Sequence, residues 1–391
     1  MNPFWMVVAD LRKNRLSGLG TLLLLAFAFS LNVAAGFFER GVTESGAGAA
    51  QDFDLVIGAP GSRVDLVLTT VFLRTDEVLP LMDYRVAEEI EQDPRVAVSS
   101  PFVLADNYQG MPIVGVGSGF SQLRPSLVPE TGSWPKANFE ALVGAEVPLK
   151  VGDSFASGHG IAESEEEEEE HHHENISYRV VGRLKSTGTP WDRSILTPYQ
   201  SLWEIHGHTE EERPGISALL VKPRDIPSAY ALRATYREGR TTSAFPGEVL
   251  ASLFGLLADV KVAVSALGTM LELLVFAAVL LSLLASLPSK YRWIGLLRSL
   301  GAGRLYIFLT LWIQSAVVFL LAGGVGLVIG RLAAGILASV MEAKTGLRIV
   351  LTWNASDFIP LLVFWLIGLV GALIPALVGF RVSARKAMLG Q

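Results

Sequence analysis

The chain has no cysteine. A disulfide framework and a thiolate metal site are therefore both excluded. It has no G-x-x-x-x-G-K-[ST] loop either. It lacks a phosphate cradle of that kind and is not expected to hydrolyse ATP by itself. No Ser/His/Asp arrangement and no pair of carboxylates stands out, so no catalytic centre is assigned. Long stretches lack charge altogether, and Leu16–Phe37 is the first of them.

What remains is strongly apolar. Half of the 391 residues are hydrophobic, and the mean hydropathy is +0.42. That is too apolar for an ordinary soluble domain, and the apolar residues are clustered. Net charge is -6, but it is unevenly placed. Residues 38–260 hold 18 Lys and Arg against 34 Asp and Glu, while the remainder holds 14 against 4. An acidic aqueous domain is joined to a basic-flanked membrane domain, and nucleic acid is not a partner for such an acidic part.

The fold class follows: a membrane protein with four transmembrane α-helices and a large α+β extracytoplasmic domain between the first and second. Residues 1–15 read as an interfacial amphipathic helix, with Phe4, Val7, Val8 and Leu11 on one face ahead of Arg12, Lys13 and Arg15. Residues 16–37 form the first span, long enough for a hydrocarbon core of about 30 Å. A cleavable signal peptide competes with it, since Val33-Ala34-Ala35 offers small residues at a cleavage spacing. The apolar run continues through Phe37 and Phe38, which favours an uncleaved anchor.

Residues 38–260 are the outer domain. GVTESGAGAAQ reads as a flexible joint. Leu55–Ile57, Val64–Phe72, Val96–Val98, Ile113–Val116, Tyr178–Leu184 and Ala218–Val221 read as strands. Tyr84–Asp93 and Ile226–Glu238 have helical spacing. Residues 100–215, rich in Pro, Gly and loops, are a possible second lobe.

The second span is 262–287, with Glu272 inside it. An acid at membrane depth must face protein or water, unless it lies shallow. Residues 305–331 form the third span, where Ala322, Gly326 and Gly330 allow close helix approach. A short extracytoplasmic connection, 332–357, leads to the fourth span, 358–380, which Pro375 should kink or end. The tail is 381–391, with Arg381, Arg385 and Lys386. The basic sites fall on one side of a four-span chain, so both termini are placed in the cytoplasm.

Between the second and third spans lies SKYRWIGLLRSLGAGR, with four basic residues and no acid. Ile294, Leu297 and Leu300 share one side of a helix, Ser289 can cap its start, and Gly301 suits its end. The stretch 288–304 reads as a cytoplasmic docking helix. The alternative is a charged loop that only fixes topology.

This plan resembles that of the MacB/FtsX-like, or type VII, ABC permeases. Arg292, Ile294, Gly295, Leu296, Leu297, Arg298, Leu300, Gly301 and Ala302 fit the family's pattern after its second span, and Trp293 stands where the family usually has Glu. The ending IPALVGFRVSARKAML is similar to the family's last span and tail. The resemblance implies a multi-pass protein of the bacterial cytoplasmic (inner) membrane. It implies a separate cytoplasmic ABC ATPase that binds the ATP, and two copies of each chain. It further implies a mechanotransmission in which ATP-driven closure moves the outer domain, for export, extraction or activation of a periplasmic partner or lipoprotein. The docking contacts assigned to the ATPase are Lys290, Arg292, Trp293, Ile294, Leu297, Arg298 and Leu300.

HGIAESEEEEEEHHHE, residues 159–174, is the other functional candidate. His159, His171, His172 and His173 suit zinc or a related divalent metal. A solvated acidic loop is the competing reading. His206 and His208 read as surface residues. At the level of the whole chain, the alternative to a permease subunit is a non-transporting membrane receptor or scaffold, with metal among its ligands.

Overall fold

The computed structural model describes residues 3–13, 15–74, 78–159 and 176–381. Two compact units emerge. One comprises residues 1–41, 257–338 and 351–391, and the other 42–256 and 339–350.

The second unit is built on a mixed sheet. Its strands are β1 (Leu55–Gly58), β2 (Val96–Tyr108), β3 (Met111–Val116), β4 (Pro129–Gly132), β5 (Glu140–Val143) and β6 (Ser154–Phe155). Then follow β7 (Gly158–His159), β8 (Tyr178–Leu184), β9 (Ile195–Pro198), β10 (Ala218–Pro223) and β11 (Thr242–Ala244). Their order is β11-β1-β10-β2-β3-β9-β5-β8-β4, with β6 on β8 and β7 on β2. The pairs β3–β9 and β5–β8 are parallel. The described strands of residues 100–215, expected as a possible second lobe, belong to this one sheet and to the same compact unit as the rest of it.

Both faces of this sheet are covered. Leu55, Ile57, Ile113, Leu219 and Val221 enter one apolar cluster. Val56, Val114, Val116 and Leu220 enter the other. Alternate residues thus serve opposite faces, which explains why the strands read as continuous apolar runs. Trp191 is fully buried in the second cluster, and its indole N–H donates to the Val71 carbonyl at 3.1 Å. Arg124 is buried there too, its guanidinium 4.1 Å from the Phe53 ring centre. Burial pushes its pKa down to about 10.

The helices, in chain order, are α1 (Pro3–Lys13), α2 (Arg15–Ala50), α3 (Arg63–Phe72), α4 (Tyr84–Glu91), α5 (Phe120–Leu123) and α6 (Tyr199–Ile205). They continue with α7 (Ile226–Thr235), α8 (Pro246–Ser299), α9 (Arg304–Thr345), α10 (Phe358–Gly371) and α11 (Leu373–Arg381).

Three of these differ from expectation. The run Val64–Phe72, read as a strand, is helix α3. Ser62 caps it by accepting from the Asp65 N–H, Asp65 sits in the first turn, and Leu66, Val67, Thr69, Thr70 and Val71 are buried. The joint read as flexible is the C-terminal part of α2. Its glycines are tolerated because packing requires one of them: a Cβ at Gly46 would meet the Phe254 ring at 2.6 Å. The docking helix expected over 288–304 is not separate from the second span. α8 passes through Ser289 without a break, so no cap is needed there.

Among the described residues, four helical segments are long and apolar enough to cross a membrane, over Gly18–Ala50, Pro246–Leu287, Arg304–Thr345 and Ala355–Phe380. α8 has 54 residues, about 80 Å at 1.5 Å per residue. That exceeds a hydrocarbon core of about 30 Å more than twofold. The fourth apolar segment is two helices, α10 and α11, parted at Ala372. Pro375 explains the break, because its ring clashes with the carbonyl four residues back, at Gly371.

Within the four-helix unit, the small-residue stripe of α9 lies on α2. A Cβ at Gly326 would come within 2.7 Å of the Ala26 carbonyl oxygen, and one at Gly330 within 2.7 Å of that of Ser30. Close backbone approach is the usual reason for small residues at such spacing.

Candidate functional site

The turn between α8 and α9 is fixed by its glycine. Gly301 has φ 90°, a conformation that favours glycine. The Ala302 N–H donates to the Leu297 carbonyl at 2.9 Å, and the Gly301 N–H to that of Arg298 at 3.1 Å. This pair of bonds is the Schellman ending of a helix.

Helical periodicity found the apolar face here but not the direction it points. Ile294 is 0% exposed and packs with Leu287, Ile307, Leu311 and Ala376 of its own chain, and Leu297 is 5% exposed. Both side chains, assigned from the sequence as docking contacts, are buried within the chain. The apolar residues that project are Leu296, Leu300 and Leu305, at 63%, 77% and 63% exposure. Arg304 is exposed beside them. Arg298 is half-buried and donates to the Phe380 carbonyl at 3.3 Å. Lys290, Arg292 and Trp293 lie on the same helix, their side chains outside what the structure describes. Leu300, grouped with Ile294 and Leu297 by its spacing, is instead exposed, as are Leu296 and Leu305. Facing of this kind is invisible to spacing alone, because both sides of this helix end carry leucines.

The metal candidates divide differently. His171, His172 and His173 lie outside the described residues. His159 ends β7, opposite Asp106 of β2. Among the described residues, no group of three or more His, Asp or Glu side chains is placed to hold a metal ion. His206 is not a plain surface residue. Its Nε2 lies 3.2 Å from Oδ1 of Asp106, which is fully buried. The Asp106 carboxylate beside it raises the His206 pKa. His208 pairs with Glu212 on the exposed surface.

The four-helix unit also contains a cleft of about 520 Å³ between α2, α8, α9 and α10. Glu272 faces it, and its Oε1 accepts from the Asn32 amide at 2.7 Å. Gly268 makes room for Asn32, since a Cβ there would lie 2.5 Å from Asn32 Oδ1. At one end, Lys261 pairs with Glu39 at 2.9 Å, and Arg40 with Asp357 at 2.6 Å. Glu272 follows Lys261 by three helical turns. The acid is thus protein-facing and held by a neutral amide.

Residues 265–385 match the family model for the FtsX-like permease C-terminal domain. Over these residues the chain is similar to an FtsX-like permease domain. With four apolar helical segments among its described residues, it is a multi-pass membrane protein. The permease match takes in the α8–α9 turn, the cleft wall formed by α8 and α10, and both halves of the last apolar segment. Two solved structures are also similar. The periplasmic region of MacB from Actinobacillus actinomycetemcomitans is 10% identical, with a TM-score of 0.35, over 52% of this chain and 94% of that one. The extracellular domain of YknZ, a noncanonic ABC-type transporter from Gram-positive bacteria, is 10% identical, with a TM-score of 0.32, over 49% of this chain and 98% of that one. No curated protein matches the chain by sequence.

Proposed function

We infer that this chain is the transmembrane subunit of an ABC complex in which a separate cytoplasmic subunit binds and hydrolyses ATP. The permease match across the α8–α9 turn carries this reading. The turn is basic, and the chain has no phosphate-binding loop of its own. Basic residues at the N-terminus, the turn and the tail put these three on the cytoplasmic side of the inner membrane, and the acidic sheet domain on the other.

The ATPase docks on the face made by Leu296, Leu300 and Leu305, with Arg304 beside it, and Lys290, Arg292, Trp293 and Arg298 on the same helix end as Leu296 and Leu300. Apolar anchors dominate such contacts, and rim charges mainly govern association. Two copies of each subunit form the complex. Helices α2, α8 and α9 are each continuous beyond the length of a span, which suits mechanical transmission from the docking face to the outer domain.

The test is co-purification of the full-length chain with a candidate ABC ATPase from the same organism, with turnover measured in nanodiscs. Leu296→Asp with Leu300→Asp should insert normally and lose the bound ATPase, because a carboxylate would be buried unpaired at the contact. Full coupling in that variant contradicts the docking face. No bound ATPase in the wild type favours a receptor or scaffold.

A further inference from the structure

We propose that the cleft of the four-helix unit is a binding site for a lipophilic organic cation, with the Glu272 carboxylate as its counter-ion. The inference rests on the permease reading only in making that cation a candidate substrate.

Charge is the first reason. Five charged side chains line the cleft, and four of them form the pairs Lys261–Glu39 and Arg40–Asp357. The fifth, Glu272, meets only the neutral amide of Asn32. The cleft therefore has one carboxyl group with no described cation beside it. It lies about 16 Å along α8 from Lys261, counting 1.5 Å per residue. A carboxylate so deep in a span is costly and calls for a partner.

The remaining polar atoms point the same way. Asn32 commits its amide to Glu272, and its Oδ1 is buried without a hydrogen bond. Thr269 turns its hydroxyl back to the Ser265 carbonyl at 2.8 Å. Asn32 Oδ1 and the Glu272 carboxylate thus present acceptors, which suit a cation. Around them stand Phe29, Phe276, Phe319 and Phe364. Phe29 and Phe364 have ring centres 4.7 Å apart, and Phe276 and Phe319 5.4 Å. Aromatic faces beside a carboxylate attract organic cations. The cleft volume, about 520 Å³, is that of a site for a drug-sized molecule. An acyl chain would satisfy the apolar walls but leave the carboxylate unbalanced.

The experiment uses the full-length protein in phosphatidylcholine nanodiscs without ATPase, so it is independent of docking. The probes are tetraphenylphosphonium and tetraphenylborate, alike in size and opposite in charge. Saturable binding of the phosphonium alone is expected. Glu272→Gln should weaken it by about tenfold or more, the scale of a lost close charge pair. A second measurement needs no variant. Dicyclohexylcarbodiimide should modify Glu272 in the wild type, and bound phosphonium should block that modification, as read by peptide mass spectrometry. Equal binding of both ions, affinity unchanged in Glu272→Gln, or labelling of Glu272 indifferent to the phosphonium would overturn the proposal.

Discussion

The sheet domain and the four-helix unit place a buried acid in opposite settings. Asp106 is a buried residue of β2 beside His206, a base that can carry the compensating charge. Glu272 sits in a cleft beside Asn32, which cannot. One acid is settled within the fold, and the other is left for something outside it. The same contrast holds for apolar side chains. In the sheet domain they are hidden on both faces, with Trp191, Phe102 and Ile57 fully buried. In the four-helix unit they are displayed, with Leu274 68% and Leu281 66% exposed. The two units are folded for two solvents.

The largest effects should come from the hidden core. Trp191→Ala should cost about 3–5 kcal/mol, as large aromatic truncations do. Leu274→Ala should change stability by no more than about 0.5 kcal/mol, because its side chain meets lipid in either state. Thermal melts of the two variants in nanodiscs provide the comparison. Equal losses would mean that Leu274 packs against protein.

A middle-sized effect should mark the contact of α9 with α2. Gly326→Leu forces a side chain against the Ala26 carbonyl, and overpacking of this kind costs about 1–3 kcal/mol. Gly324→Leu, where a Cβ meets nothing within 4 Å, should be tolerated. Detergent-unfolding curves would separate the two, and matched curves would break the assigned packing.

The smallest effect should appear in the pH dependence of the sheet domain. The His206 pKa is raised by its bond to Asp106. Its contribution is therefore fully present below the unfolded value of about 6.5, and is lost as pH rises through the higher folded value. The melting temperature should fall over that window, and His206→Asn should remove that component. An unchanged pH slope in His206→Asn would assign the dependence elsewhere.

Much of the fold could be read from residues. The four apolar segments, β1, β10, α4 and the glycine that ends α8 all have local causes, namely long uncharged runs, apolar runs at turn signals, and a left-handed position. The misreadings share a different cause. Val64–Phe72 has β-branched residues, yet Ser62 and Asp65 start a helix there. Gly46 and Gly48 suggest a joint, yet packing against Phe254 keeps the chain helical. Spacing grouped Ile294, Leu297 and Leu300 on one face, but the first two are buried, Ile294 against Ile307, Leu311 and Ala376, while Leu300 is exposed. The Asn32–Glu272 bond joins residues 240 positions apart, beyond the reach of any local pattern.

The claim beneath the whole account is that the α8–α9 turn and the sheet domain lie on opposite sides of one membrane. Because the chain has no cysteine, any introduced thiol is unique. Ser118 and Ser299 are both exposed, so Ser118→Cys and Ser299→Cys report on the sheet domain and on the turn. The measurement is labelling by a membrane-impermeant maleimide in intact right-side-out vesicles, and again after permeabilisation. The account predicts that Ser118→Cys labels at once and Ser299→Cys only after permeabilisation. Equal labelling of both in intact vesicles would contradict it.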